Sequence, residues 1–212
     1  MLRNVIASAV LLTLFAIVGS GLVATVHDGT RERIARNEEE VLLRGLHDVL
    51  PEREYDNDIL RDALTIDAPD LGGTIIVYPA FRGHDPVALI YTVTAPDGYA
   101  GPIRLLVGVT ADGRVSGVRV VAHRETPGLG DDIDASRSDW IERFRGLSLD
   151  SPPTPLWNVR RDGGVFDQFT GATITPRAVV KAIRTTLLYS RDHCEGLYER
   201  ALQRSSTEDD HG

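Results

Sequence analysis

An uncharged apolar run near the amino terminus constrains this chain more than any other feature. Val5–Val26 reads VIASAVLLTLFAIVGSGLVATV and contains no charged side chain. About 20 apolar residues are enough to cross a bilayer as a helix. A cleaved signal peptide is the alternative, because Arg3 precedes the run, but its apolar core is usually only about 7–15 residues long. We therefore predict a retained transmembrane anchor over residues 5–26, preceded by a short cytoplasmic segment, residues 1–4.

The charges that flank this run do not decide its orientation. Arg3 and the amino terminus lie on one side, and three arginines follow on the other, mixed with Asp28 and Glu32. Positive charge favours the cytoplasmic side for short loops, but large domains translocate largely regardless of charge. The residues alone therefore leave open which side of a membrane carries the rest of the chain.

Composition narrows the classes of function. The 212 residues suffice for one globular domain and an anchor, and the formal net charge is -8. Nucleic-acid binding would call for a basic patch or stripe, so we do not expect it. Cys194 is the one cysteine, which excludes an internal disulfide and an iron–sulfur ligand set from this chain. Redox chemistry would therefore require a bound cofactor.

The middle of the chain has the pattern of an antiparallel sheet. Its segments are rich in β-branched and aromatic residues, and Asp112-Gly113 between two of them marks a hairpin. Pro96-Asp97-Gly98 is a second turn signal. We predict a sheet of four or more strands, which include Thr74–Pro79, Val87–Ala95, Ile103–Thr110 and Val115–Ala122.

Helical patterns surround these strands and make the predicted fold class α+β. Apolar residues at helical spacing predict a juxtamembrane helix within residues 27–50, which ends before Pro51. Residues from Pro51 to Gly73 favour irregular structure or short helix. Further predictions are a helix at Ser136–Phe144, a short strand at Trp157–Val159, a helix at Arg177–Tyr189, and core positions for Trp140 and Trp157. We assign residues 51–203 to one domain and residues 204–212 to a polar, disordered tail.

The segment Asp162–Thr175, DGGVFDQFTGATIT, is the strongest candidate for a functional site. Pro176 suits the first turn of a helix, and Thr175 before it is a good N-cap. The amino end of a helix attracts phosphate through its free N–H groups and partial positive charge. Gly171 lets a ligand approach closely, and the hydroxyls of Thr170 and Thr173 flank that position. On the residues alone, a simple helix cap remains the alternative.

A second candidate segment is His123–Asp131, HRETPGLGD. Gly128 and Gly130 permit the backbone to approach a planar ligand, although an ordinary tight turn after a strand would look the same. His123 beside Glu125 could indicate a metal site or an acid–base pair, but no further ligand spacing accompanies it. Lys181, about one helical turn beyond the phosphate site, could approach it or remain solvated.

The segment Asp167–Thr173, DQFTGAT, matches the pattern Asp-x-x-Ser/Thr-Gly-Ala-Thr of proteins that a flavin transferase modifies with FMN. Over nearly its whole length the chain resembles the RnfG family, the G subunits of Rnf electron transport complexes, and more distantly NqrC. The resemblance implies FMN attached through its phosphate to Thr173, with Asp167 recognised by the transferase or its metal. It also implies that two loops face the cofactor, with candidate binding residues Tyr99, Glu125, Thr126, Gly128, Leu129, Gly130, Thr170, Gly171, Ala172 and Thr175.

The resemblance further implies a function for the whole chain. It would be a one-electron carrier in a bacterial inner-membrane complex that couples electron flow between ferredoxin and NAD to ion movement. Its main domain would be periplasmic, its partners would be the other subunits and the flavin transferase, and it would have no independent catalysis. Two alternatives remain. The chain could be a membrane-anchored FMN-binding sensor, or an assembly subunit in which Thr-Gly-Ala-Thr is only a helix cap.

Overall fold

A computed structural model describes residues 40–209 together with Ile6, residues 11–17 and residues 19–20. Contacts divide the chain into two compact units, residues 1–44 and 45–212. In the first unit, the described residues before position 21 are helical. No helix among the described residues is both long and apolar enough to span a membrane. Much of the predicted anchor, 5–26, and residues 27–39 of the predicted juxtamembrane helix lie outside the described residues.

The second unit is built on one antiparallel sheet, so the predicted α+β class and sheet are confirmed. The five strands lie in chain order and each pairs with the next along the sequence. Their bounds are β1 Leu64–Ala68, β2 Gly73–Arg82, β3 Asp85–Ala95, β4 Ile103–Thr110 and β5 Val115–Ala122. Strand β1 falls in the stretch for which we predicted irregular or helical structure. Its alternate residues are buried, and pairing with β2 makes this short segment a strand.

Within the second unit, helical segments pack on opposite faces of the sheet. Side chains of a strand alternate between the faces, and along β4 Leu105 and Val107 belong to the core that includes α2, Ile174–Asp209. Leu106, between them, faces the other way, and a Cβ added at Gly45 would lie 3.1 Å from its Cδ1. Helix α1, described over residues 40–49, therefore has its last turn on that second face. It ends before Pro51, as predicted.

Two paired glycines form the groove into which the end of α1 fits. Gly108 and Gly117 lie opposite each other on β4 and β5. A Cβ at Gly117 would lie 2.6 Å from the carbonyl oxygen of Val49 and 2.9 Å from its Cα. The backbone of Asp48 is held in the same place, because Arg145 donates to its carbonyl oxygen at 3.0 Å. The absence of side chains on this pair of glycines therefore allows α1 to approach the sheet closely.

We expect Gly117→Ala to destabilise the protein by about 1–3 kcal/mol, because overpacking against backbone cannot be relieved by a rotamer change. Urea denaturation of the purified protein measures this. Gly196→Ala is the matched control: it lies within α2 with nothing within 4 Å of an added Cβ, and alanine in a helix is favoured over glycine by roughly 0.5–1 kcal/mol. Equal stability of the Gly117 and Gly196 variants would contradict the close contact between α1 and the sheet.

The other predicted elements differ from those observed. Helix α2 extends well beyond Tyr189, because buried Leu197, Tyr198 and Ala201 continue its apolar face. It runs to Asp209, into the segment for which we predict a disordered tail, and residues 210–212 lie outside the described residues. The helix expected at Ser136–Phe144 is a 3-10 turn at Trp140–Phe144, here called η.

The strand predicted at Trp157–Val159 is wrong, since only an isolated bridge between Val159 and Phe166 forms there. Trp157 nevertheless lies in the core, fully buried against the rings of Phe144 and Phe166, as the sequence predicted. Trp140 is also buried and packs edge-on against Phe144 and Phe169. Through Phe169, this aromatic cluster contacts the segment that carries the Thr-Gly-Ala-Thr motif.

Candidate cofactor site

A cavity of about 440 Å³ lies at the amino end of α2. Its size is within the range of roughly 300–1,000 Å³ that small-molecule and cofactor pockets occupy. Segments far apart in sequence form its walls: the turn after β3, the loop after β5, a 3-10 turn, and the start of α2. The lining residues are Tyr99, Glu125, Thr126, Leu129, Gly130, Arg161, Gly171, Ala172, Thr173, Ile174, Thr175 and Arg177.

The structure thus brings together nine of the residues that the sequence and the resemblance indicated. Three others do not line the cavity: Gly128, Thr170 and Asp167. Gly128 has a φ of 78° and its amide donates to Asp131 at 2.6 Å, so it shapes the turn rather than the cavity wall. Arg161, Ile174 and Arg177 line the cavity without having been predicted.

The start of α2 places the motif differently from our prediction. The helix begins at Ile174, and the amide of Arg177 donates to the carbonyl oxygen of Thr173 at 3.3 Å. Thr173 is therefore the N-cap, and the prediction of Thr175 as the cap is wrong. Pro176 remains within the first turn, where its missing N–H costs nothing. Thr173 lines the cavity at the point where the first-turn amides of α2 have no intrahelical acceptor.

Thr175 is buried and bonds to a carboxylate instead of capping the helix. Its hydroxyl donates to Oε2 of Glu125 at 2.6 Å, and the Ala100 amide donates to Oε1 of the same carboxylate at 3.1 Å. Thr175 is 0% exposed and Glu125 5%. The Glu125 amide donates a hydrogen bond to Nδ1 of His123 at 3.1 Å, which is a local contact within the loop. Among the described residues, no group of three or more potential metal ligands forms.

Asp167, four positions before Gly171 in the motif, is held by the protein itself. Its carboxylate pairs with Arg143 at 3.3 Å and with Arg160 at 3.1 Å. The indole N–H of Trp140 donates to its carbonyl oxygen at 2.9 Å. Asp167 therefore fixes the acceptor segment to the η turn, although its side chain is still 44% exposed.

The positive charges around the cavity differ in how they are paired. Arg177 forms a two-pronged ion pair with Asp162, at 2.5 and 2.9 Å, which holds the pKa of that carboxyl below its usual range. Lys181 pairs with Asp97 at 2.6 Å and does not line the cavity. Arg161 lines the cavity, and no carboxylate within the described part of the chain lies at ion-pair distance from it. Its positive charge also contributes to the lowered pKa of Asp162.

Large apolar side chains at the cavity are exposed. Tyr99 is 69% exposed, Leu129 46% and Ile174 44%. Exposed apolar groups that converge on a cavity are typical of ligand-binding sites. The site therefore pairs an apolar wall, suited to a planar ring, with a helix amino end and the Arg161 cation, suited to a phosphate. This combination fits FMN, which has both parts.

Comparison with known families agrees with this arrangement. The sequence model of the FMN-binding domain matches residues 98–188, a range that contains every residue lining the cavity. A second family model, the RnfG N-terminal region, matches residues 1–49. The fold, the site and these matches define an FMN-binding domain that follows a separate N-terminal region in the sequence.

Full-length relatives identify the family more closely. The chain is 50% identical over 190 residues to the G subunit of the ion-translocating oxidoreductase complex of Pseudomonas aeruginosa (strain UCBPP-PA14), covering 88% of this chain and 89% of that protein. The protein of the same name from Shewanella loihica is 43% identical over 203 residues, covering 94% and 96%. That from Vibrio cholerae serotype O1 is 42% identical over 202 residues, covering 94% and 97%. The chain belongs to this family of G subunits, so the resemblance inferred from its motifs is confirmed.

Proposed function

We propose that this chain carries FMN as a phosphoester on Thr173 and is the electron-carrier subunit of an ion-translocating oxidoreductase complex. The observation that carries the proposal is the position of Thr173. It is the N-cap of α2 and lines a cavity that also contains Arg161 and an apolar wall. The family to which the chain belongs supports the assignment to a complex, since its members are named as complex subunits.

The attachment step conserves atoms and electrons without any redox change. A flavin transferase supplies FAD, the Oγ–P bond of Thr173 forms, and the P–O–P bond of FAD breaks. AMP leaves as the second product and the hydroxyl proton is released. The helix amino end and Arg161 stabilise the negative charge of the phosphate at the acceptor.

Asp167 is the residue through which we expect the transferase or its metal to recognise the chain. The ion pairs with Arg143 and Arg160 hold its carboxylate in a fixed place, and 44% of the side chain remains accessible. A fixed, accessible carboxylate close to the acceptor threonine is suited to such recognition. The carboxylate of Asp167 is therefore accessible to the transferase in the folded domain.

Bound FMN supplies the redox chemistry, because it can accept and release electrons. The residues of this chain position it and control its surroundings. Tyr99, Leu129 and Ile174 can pack on the ring and exclude water from part of it, and Arg161 can balance negative charge in the cavity. A covalent link through the phosphate leaves the ring unmodified and prevents loss of the cofactor.

We also propose that residues 5–26 anchor the chain as a single pass in the bacterial inner membrane, with the main domain in the periplasm. The described residues 11–17 and 19–20 are helical, and their side chains, among them Leu12 and Phe15, are exposed. A helix that exposes apolar side chains on all sides is suited to a hydrocarbon environment. The matched RnfG N-terminal region covers the same residues.

Coexpression with a flavin transferase, followed by denaturing electrophoresis, tests the proposed function. We expect a fluorescent protein band whose flavin is reduced by dithionite and reoxidised by air when the folded protein is assayed. Other target proteins that become fluorescent in the same cells show that the transferase is active. If they do so and this protein gives no fluorescent band, the proposal is contradicted. The motif would then be a helix cap in an assembly subunit.

A further inference from the structure

Glu125 lines the cavity, but both oxygens of its nearly buried carboxylate are engaged by hydrogen bonds within the protein. It accepts hydrogen bonds at both oxygens, from the Ala100 amide and the Thr175 hydroxyl, and only 5% of the residue is exposed. These partners are separated from Glu125 by 25 and 50 positions in the sequence. The carboxylate therefore joins the turn after β3 to the first turn of α2.

Two glycines make room for this carboxylate. A Cβ added at Gly130 would lie 2.7 Å from Oε2 of Glu125 and 3.0 Å from the hydroxyl oxygen of Thr175. A Cβ at Gly98 would lie 3.0 Å from Oε1. The φ of Gly130 is −97°, which any residue adopts. Gly130 is thus required here for the space beside Glu125 rather than for its backbone conformation.

The contacts of Glu125 determine the relative positions of the cavity walls. Thr175 lies two positions after Thr173, so its buried hydrogen bond holds the start of the helix, which carries Thr173, against Glu125. The Ala100 amide fixes the turn that carries Tyr99. Glu125 itself lies in the loop that carries Leu129. One carboxylate therefore connects the phosphate end of the cavity to both sides of its apolar wall.

We infer that Glu125 is a positioning residue that acts through Thr175 and Ala100, and not a residue that contacts the flavin. The inference rests on the proposed function, since the position that matters is that of Thr173 and of the wall around FMN. It assigns to Glu125 and Thr175 one shared role, although the sequence indicated both as separate cofactor contacts. Thr175 is the partner through which the effect of Glu125 reaches the acceptor.

Substitutions at the two positions test this shared role. Thr175→Val keeps the size of the side chain and removes the hydroxyl, and Glu125→Gln replaces one acceptor oxygen by a donor. We expect each to slow flavinylation by about tenfold, the factor that corresponds to loss of one hydrogen bond to a charged group. The double variant is expected to be no slower than the slower single variant, because both substitutions disturb the hydrogen bond between Glu125 and Thr175. Thr175→Ser is expected to restore the rate.

A readout without flavin separates this inference from the proposed function. In the unmodified protein, hydrogen exchange of the Ala100 amide is expected to accelerate in both Thr175→Val and Glu125→Gln. Thr186→Val is the matched control, because Thr186 is also 0% exposed on α2 and donates to Ala182 at 2.9 Å, away from the cavity. It is expected to leave both the exchange at Ala100 and the flavinylation rate unchanged.

Three outcomes would overturn the inference. The first is unchanged exchange at Ala100 in both variants. The second is flavinylation at the wild-type rate in Thr175→Val while the wild-type protein is modified normally. The third is a shift of the flavin midpoint potential in Glu125→Gln with none in Thr175→Val, which would indicate direct contact between Glu125 and the ring. Absence of FMN from the wild-type protein would instead contradict the proposed function and leave the exchange measurement as the test of the inference.

Discussion

Thr173→Val is expected to eliminate covalent FMN from the protein while leaving it folded. Valine has nearly the shape of threonine but no hydroxyl, so no phosphoester can form. The substitution also removes a side-chain oxygen from the N-cap of α2, which costs about 1 kcal/mol. That loss is small against the stability of a folded domain, typically about 5–15 kcal/mol. Flavin fluorescence of the denatured protein, with circular dichroism of the folded protein, measures both effects.

Two controls accompany this variant. Thr173→Ser keeps the hydroxyl and the cap, and we expect it to retain covalent flavin. Thr170→Val removes the neighbouring hydroxyl, which does not line the cavity, and we expect FMN to remain on Thr173. Flavin that stays on denatured Thr173→Val but is lost from Thr170→Val would move the attachment to Thr170 and contradict the proposed role of the N-cap.

Trp157→Ala is expected to lower the free energy of unfolding by about 3–5 kcal/mol, the usual cost of truncating a buried aromatic side chain. Trp157 is 0% exposed and packs against the stacked pair Phe144 and Phe166, with its ring centroid 6.2 and 5.0 Å from theirs. Its indole N–H donates to the carbonyl oxygens of Ser148 and Pro152, each at 3.0 Å. Alanine would leave a cavity in the core, and it would deprive both carbonyl oxygens of their hydrogen-bond donor. Urea denaturation measures the change.

The neighbouring Leu156 provides a matched control, because it is 38% exposed. We expect Leu156→Ala to cost less than about 1 kcal/mol, as for most surface substitutions. Trp157→Phe, which keeps an aromatic ring and loses the N–H, should lie between the two. A cost for Trp157→Ala no greater than that for Leu156→Ala would contradict the assignment of Trp157 to the core.

Local patterns were sufficient to predict much of the sheet. β4 and β5 are joined by Asp112-Gly113, and Gly113 has the positive φ that this turn requires. β1 was not predicted. Its five residues, LTIDA, do alternate between apolar and polar, but the segment is short and includes Asp67 and Ala68, residue types that are depleted in strands, and its pairing with β2 makes it a strand. The length of α2 was underestimated for a similar reason. Polar residues after Tyr189 obscure an apolar face that becomes evident only where Leu197 and Tyr198 pack against the core.

In the candidate site too, the features that could be predicted are local in sequence, and those that could not are long-range contacts. The acceptor region, Gly171–Thr175, is contiguous, so its position at a helix start could be predicted from sequence. The exact cap could not, because Thr173 and Thr175 are equivalent by residue type and Pro176 is acceptable throughout the first turn. The contact between Glu125 and Thr175 joins residues 50 positions apart and leaves no local signal. The resemblance indicated both residues, but not that they bond to each other.

The most direct measurement of the central claim is the intact mass of the denatured wild-type protein, purified from a host with an active flavin transferase. Peptide mapping over Phe169–Arg177 then locates any modification. We predict an added mass of one FMN less one water, on the peptide and at Thr173. An unmodified chain, from a host in which a second target protein receives FMN, would contradict the account.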